Sequence, residues 1–180
     1  MNLIHKYPSA FSKESCEKAI DWFKQNIYQA SPGKAGVKNL NNLEITIHVQ
    51  VPEDFFNLGA AIKKGIEDFK KKYEPFETSL GGWRLNTNAQ ICRFEPNNYY
   101  YKIHCENDGH PQRLNRVFGW MVYLNDIKQG GGTEFIFQNF KTIPKAGDFY
   151  IWPAGASHMH RGENAPFERK YLITGWFIFQ

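Results

Sequence analysis

Tyr99-Tyr100-Tyr101-Lys102-Ile103-His104-Cys105-Glu106-Asn107-Asp108 is the stretch that decides how this chain is to be understood. Three tyrosines and an isoleucine favour an extended backbone. In a strand over Tyr99–Glu106, residues two apart share a face, so His104 and Glu106 project side by side. An imidazole and a carboxylate so placed can grip one metal ion from one side. A third ligand from elsewhere would complete the two-histidine, one-carboxylate set that leaves open positions on a non-haem Fe(II). His-x-Glu also occurs on many solvated strands, so its meaning depends on the rest of the chain.

At 180 residues the chain is expected to form one domain with a full core, spanning 1–180. Aromatic residues make up 16% of it, which suits a β-rich interior lined with large rings. The net charge of +4 owes much to Lys63, Lys64, Lys70, Lys71 and Lys72. These fall on one predicted helix with no aromatic ladder interleaved, so they read as a solvated face, and nucleic acid is not expected as a partner. Cys16, Cys92 and Cys105 are odd in number and widely spaced, which yields neither a disulfide framework nor a zinc pattern. No apolar run has membrane-spanning length and the first residues lack a signal-peptide core. The expectation is a soluble, cytoplasmic protein without membrane contact.

Outward from the central stretch, the amino-terminal half reads as helical. Cys16, Ala19, Ile20, Phe23 and Ile27 recur at helical spacing within Ser12–Tyr28, with Ser12 as the N-cap and Ser31-Pro32-Gly33 as the stop. Gly33–Asn42 is polar and loop-like. Leu43–Val51 alternates as a half-buried strand, with His48 on its polar face. Pro52–Tyr73 returns to the helical period, with Pro52 at its start. From Gly81 onward short strands dominate: Ala89–Phe94, Tyr99–Glu106, Arg116–Leu124 (buried on both faces), Thr133–Phe137, Asp148–Trp152 and Lys170–Phe179. Turns at Glu95–Asn98, Asn125–Gly132 and Pro144–Gly147 separate them, and Asn107–Asn115 is a polar loop. The predicted fold is mainly β: a two-sheet jelly roll over 81–179, buttressed by helices within 12–73.

Ser157-His158-Met159-His160-Arg161-Gly162 supplies the second metal-binding candidate, with His158 and His160 on one face if extended. Along the carboxy-terminal half run His104-x-Glu106, Gly130-Gly131-Gly132-Thr133, Pro144-x-x-Gly147, His160 and, ten residues later, Lys170. With Tyr101 three before His104, Tyr123-Leu124-Asn125, Trp152-Pro153 and Lys170–Trp176, this succession resembles the prolyl 4-hydroxylase branch of the Fe(II)/2-oxoglutarate dioxygenases over Gln90–Trp176. The resemblance is greatest to small bacterial and phage-encoded members. It implies a double-stranded β-helix core, and the helix-first layout fits it.

The resemblance implies that His104, Glu106 and His160 hold Fe(2+) and form the catalytic centre. It implies that Lys170 pairs with the distal carboxylate of 2-oxoglutarate, with Tyr123 and Thr174 lining the same site and Gln90, Phe94, Tyr101 and Trp176 as further pocket residues. Lys170 has independent support, because Lys170, Leu172, Thr174 and Trp176 share a strand face, and a lysine opening a buried apolar strand calls for an anionic partner. Three positions depart from the family pattern: Glu106 replaces the usual aspartate, Phe94 stands where many members carry tyrosine, and Asn97-Asn98 replaces glycines. The implied reaction consumes O2 and 2-oxoglutarate and hydroxylates an unactivated C–H, with ascorbate as an optional further cofactor. A prolyl residue in a peptide or protein is the expected substrate. The alternatives are a free amino acid or other small metabolite, or a cupin-like metal-binding protein without oxygenase activity, in which Lys170 would have no purpose. Arg84, Arg113 and Arg116 could serve an acidic substrate instead. Oligomeric state is left open.

Overall fold

A computed structural model describes residues 3–32, 43–48, 55–75 and 80–180. The loop expected at Gly33–Asn42, the helix start expected at Pro52 and the side chain of His48 lie outside these residues. Helix α1 spans Lys13–Gln25, and the Ser12 hydroxyl caps it by accepting the Ser15 N–H at 3.0 Å. Its buried side chains, Cys16, Ala19 and Phe23, keep the expected spacing. The helix ends before Tyr28: the Asn26 side-chain amide donates to the Trp22 carbonyl at 2.9 Å, and a single 3₁₀ turn, Ile27–Gln29, follows.

Helix α2, Leu58–Lys72, begins later than sequence periodicity suggested. Phe55, Phe56 and Asn57 hold φ of 46°, 59° and 66°, left-handed values from which a right-handed helix cannot propagate. Leu58, Ala61, Ile62, Gly65 and Phe69 face the sheet. Any side chain at Gly65 would collide with the ring of Phe149, so this glycine lets the helix sit directly on the sheet. Lys70, Lys71 and Lys72 occupy the last turn, where positive charge complements the helix dipole. That gives the lysine run a structural use. Among the described residues, no helix is long and apolar enough to cross a membrane.

The strands in chain order are β1 His5–Tyr7, β2 Ser31–Pro32, β3 Leu43–His48, β4 Trp83–Leu85, β5 Asn88–Phe94, β6 Arg116–Tyr123, β7 Thr133–Phe135, β8 Phe140–Lys141, β9 Phe149–Pro153, β10 His160–Gly162 and β11 Lys170–Phe179. A large antiparallel sheet runs β1-β9-β6-β11-β5-β3-β2, with β4 pairing the far end of β11. A small sheet, β10-β7-β8, lies apart from it. One face of the large sheet, including Ile91, Trp120, Val122 and Ile173, packs on the helices. The other, including Cys92, Phe94, Met121, Tyr123, Trp152 and Leu172, packs with Phe135 of the small sheet. Past Arg116, strand β6 is therefore without charged residues, since both its faces are covered. This is the jelly-roll arrangement with a helical buttress.

The expected strand over Tyr99–Glu106 does not form. The segment pairs with β10 at two isolated points, where Gly162 N–H donates to Tyr100 C=O at 2.8 Å and His104 and His160 exchange backbone hydrogen bonds of 3.0 and 2.8 Å. Between them the chain bends at Lys102, whose carbonyl is engaged by the His104 ring rather than by a neighbouring strand. Two contacts to β10 hold the His104 segment, and a continuous ladder is absent.

Candidate metal centre

One donor atom each from His104, Glu106 and His160 fall within 4.8 Å of one another, the group with metal-binding potential among the described residues. The backbone bridge between His104 and His160 sets the two imidazoles side by side, 4.4 Å between ring centres. His104 Nδ1 lies 2.9 Å from the Lys102 carbonyl and His160 Nδ1 lies 2.9 Å from the His158 carbonyl. A carbonyl only accepts, so each Nδ1 carries the proton and each Nε2 keeps its lone pair for the site. This is how ligating histidines are held when a backbone group fixes their tautomer.

Glu106 is buried, and its Oε1 stands 3.3 Å from His160 Nε2. Two electron-pair donors at that distance call for a proton or a cation between them. Oε2 accepts the Trp176 indole N–H at 2.5 Å. Burial raises the pKa of this carboxyl, but the hydrogen bond that His160 gives when its Nε2 is also protonated, the charge of the nearby imidazoles in that form and the Trp176 donor outweigh burial and hold it at about 2. Burial, helped by His160, lowers the pKa of His104. Glu106 is thus held ionised and burial favours the neutral form of His104, the donor character a divalent transition metal takes. The residues fit Fe(II). Tyr100 packs on His104 at 4.5 Å, while Trp152 and Phe135 flank His160 at 5.2 and 5.1 Å.

On the same inner surface, Lys170 opens β11 and is only 3% exposed. Its ammonium donates to the Gly131 carbonyl at 2.9 Å and lies 4.9 Å above the Phe94 ring, its cross-strand partner. Burial lowers its pKa to about 8. Tyr123 faces the same interior: its hydroxyl meets Thr142 at 2.6 Å and Thr133 at 3.3 Å, and burial raises its pKa. Thr174 donates to the Trp120 carbonyl at 2.9 Å, and half-buried Gln90 sits opposite it on β5.

Of the residues expected at the site, Tyr101 is displaced. It is 50% exposed and lines an outer groove of about 490 Å³ with Tyr99, Glu134 and Arg161. The bend at Lys102 turns Tyr101 outward, and Tyr100 takes the place against His104. His158 is buried outside the donor cluster, with its ring on Ser157 Oγ at 2.9 Å. Arg169 and Arg161 are paired with Glu95 and Glu134 at 2.9 and 2.7 Å, and Arg113 with Asp108 at 2.8 Å. Arg116 serves Glu106: its Nη1 donates to the Glu106 carbonyl at 3.2 Å, and its guanidinium stacks 3.6 Å over Trp176. Sequence reading missed this use of Arg116, the packing of Tyr100 and the Thr133–Thr142 hydroxyls. Local patterning carries no signal for such long-range partners.

The profile of the family described as "2OG-Fe(II) oxygenase superfamily" matches residues 89–178, half of the chain. An Arabidopsis thaliana protein named "Probable prolyl 4-hydroxylase 9" is 22% identical over 94% of this chain. The chain spans 66% of that protein's length. Among solved structures, the viral collagen prolyl hydroxylase of Paramecium Bursaria Chlorella virus-1, in a 2OG complex, has a TM-score of 0.74 at 19% identity, covering 99% of this chain and 97% of that one. A Pseudomonas putida prolyl-4-hydroxylase has a TM-score of 0.71 at 14% identity, covering 98% and 92%. At these identities the structural likeness speaks to fold, and the family match supplies the rest: this chain belongs to the 2OG-Fe(II) oxygenase superfamily.

Proposed function

We propose that the chain hydroxylates prolyl residues in a peptide or protein, using Fe(II) held by His104, Glu106 and His160 and 2-oxoglutarate anchored by Lys170. The observation that carries this is the convergence of a neutral-imidazole and carboxylate donor set with a buried lysine on one inner surface. The two histidines present fixed Nε2 lone pairs, and Glu106 presents one oxygen toward them. Lys170 lacks a side-chain carboxylate within hydrogen-bonding distance among the described residues, which suits a dianionic cosubstrate. The Tyr123 hydroxyl, tied to Thr142 and Thr133, lines the same interior and is kept protonated by burial. Iron and 2-oxoglutarate, when bound, supply the oxidising chemistry that converts O2 and the oxo acid to succinate, CO2 and one hydroxylated C–H. The surrounding Trp152, Phe135 and Met121 exclude water from that interior.

The prolyl assignment draws on the names carried by the similar proteins and on the segments that flank the ligands. Ile103, next to His104, and Leu114, in the Asn107–Asn115 loop, are exposed apolar residues. They offer contact surface to an extended chain. The test presents proline-rich peptides, free proline and damaged DNA to the iron-loaded protein. Succinate formation and the gain of one oxygen by a peptide are the expected result. Succinate formed only with a free metabolite would overturn the peptidyl assignment and retain the oxygenase.

A further inference from the structure

The carboxylate of this centre is a glutamate, and its extra methylene adds a rotor that must be fixed before either oxygen can be aimed. Three neighbours fix it. Oε2 accepts the Trp176 Nε1–H at 2.5 Å, which leaves Oε1 toward His160 Nε2 at 3.3 Å. Trp176 is itself held, because the Arg116 guanidinium lies 3.6 Å over its ring. The same guanidinium donates to the Glu106 backbone carbonyl at 3.2 Å and stands 3.6 Å from Oε2. Behind the carboxylate, Gly119 is the middle of a cross-strand rung, paired with Trp152 on β9 and with Trp176 on β11. A Cβ at position 119 would stand 2.9 Å from Glu106 Cγ and 2.7 Å from the Trp152 ring. Glycine therefore leaves the slot in which the longer side chain lies.

We propose that the Trp152–Gly119–Trp176 rung, backed by Arg116, is a positioning device that makes Glu106 a one-oxygen metal ligand. Trp176 and Arg116 claim one oxygen and Gly119 gives passage to the methylene. Trp152 flanks His160 from the other end of the rung at 5.2 Å. An aspartate at 106, shorter by one methylene, would draw its oxygens back from the Trp176 N–H that Glu106 meets at 2.5 Å. The inference rests on the metal-centre assignment above.

The test is a double-mutant cycle on the full chain, read as Mn(II) affinity in the absence of 2-oxoglutarate. Trp176→Phe keeps a ring for Arg116 to stack on and removes the N–H. It should weaken Mn(II) binding about tenfold in the Glu106 background, in line with other residues that orient ligands. In the Glu106→Asp background, where the bond cannot form, the same change should cost less than about twofold. A merely structural Trp176 would lower both backgrounds alike, so equal losses overturn the proposal, as does no loss with glutamate present. Arg116→Gln, carried through the same cycle, is the second variant and should cost more in the glutamate background, because its bond to the residue-106 carbonyl is common to both and only its approach to Oε2 is particular to glutamate. His160→Ala separates the two assignments. If it binds Mn(II) as the unmodified chain does, the metal centre itself is refuted, and the positioning device with it. If it loses Mn(II) while Trp176→Phe and Arg116→Gln do not, only the positioning device is refuted.

Discussion

Replacing Lys170 by methionine keeps most of the side-chain volume and removes the charge. In the free protein that charge is buried with a backbone carbonyl and an aromatic ring as its near partners. Burial lowers its pKa from 10.5 to about 8, which corresponds to roughly 3 kcal/mol of destabilisation of the charged form. The sign follows from proton counting. Between about pH 8 and 10.5 the unfolded chain binds more protons at this lysine than the folded one, so stability rises with pH across that window. Below it the full penalty is present. Lys170→Met should therefore be at least as stable as the unmodified protein at pH 7 and should lose this rise in alkali, as measured by urea unfolding. Cosubstrate binding should move the other way. Leaving the 2-oxoglutarate carboxylate unpaired in a dry site costs roughly 3–5 kcal/mol, or about two to three and a half decades in affinity. Titrating succinate formation against 2-oxoglutarate should show that rise, with Mn(II) binding intact. In the unmodified protein, affinity should fall as pH passes above about 8, because binding then requires Lys170 to take up a proton. An unchanged 2-oxoglutarate requirement in Lys170→Met would refute the anchor, and a pH-independent one would refute the reasoning about its charge.

His160→Ala should abolish Mn(II) binding measured by calorimetry, whereas His158→Ala should retain it, since His158 meets the ligand through its backbone carbonyl. Gly119→Ala should lower stability by about 1–3 kcal/mol through overpacking against Trp152 and Glu106, and should also lose metal affinity. Differential scanning calorimetry with and without Mn(II) checks both parts. Tyr123→Phe leaves the buried Thr133 and Thr142 hydroxyls short of a partner and should cost about 1–3 kcal/mol in urea unfolding. Its effect on the 2-oxoglutarate requirement should be smaller than that of Lys170→Met, because no charge is lost.

Face alternation was legible along the chain. Lys170, Leu172, Thr174 and Trp176 alternate along β11, and at the two ends of this series the Lys170 ammonium meets the Gly131 carbonyl and the Trp176 N–H meets Glu106. The Ser12 cap, the cores of α1 and α2 and the doubly buried β6 were legible for the same reason, since burial imposes a period that residue types record. His104, Glu106 and His160 could be named together only through the family resemblance, since spacing alone left His158 and His160 both open. What brings the three together is a pair of backbone hydrogen bonds between segments far apart in sequence, and no local pattern encodes that. The same limit explains Tyr101. Tyrosine-rich sequence favours extension, but Lys102 bends and its carbonyl is engaged by the His104 ring, so Tyr100 faces His104 and Tyr101 faces solvent. Arg116 looked like a free cation until Trp176 and the Glu106 carbonyl lay beside it. Periodicity assigns a side chain to a face through burial, which each residue pays for locally. Which atom then completes its hydrogen bonds depends on the tertiary structure, because the partner comes from another strand.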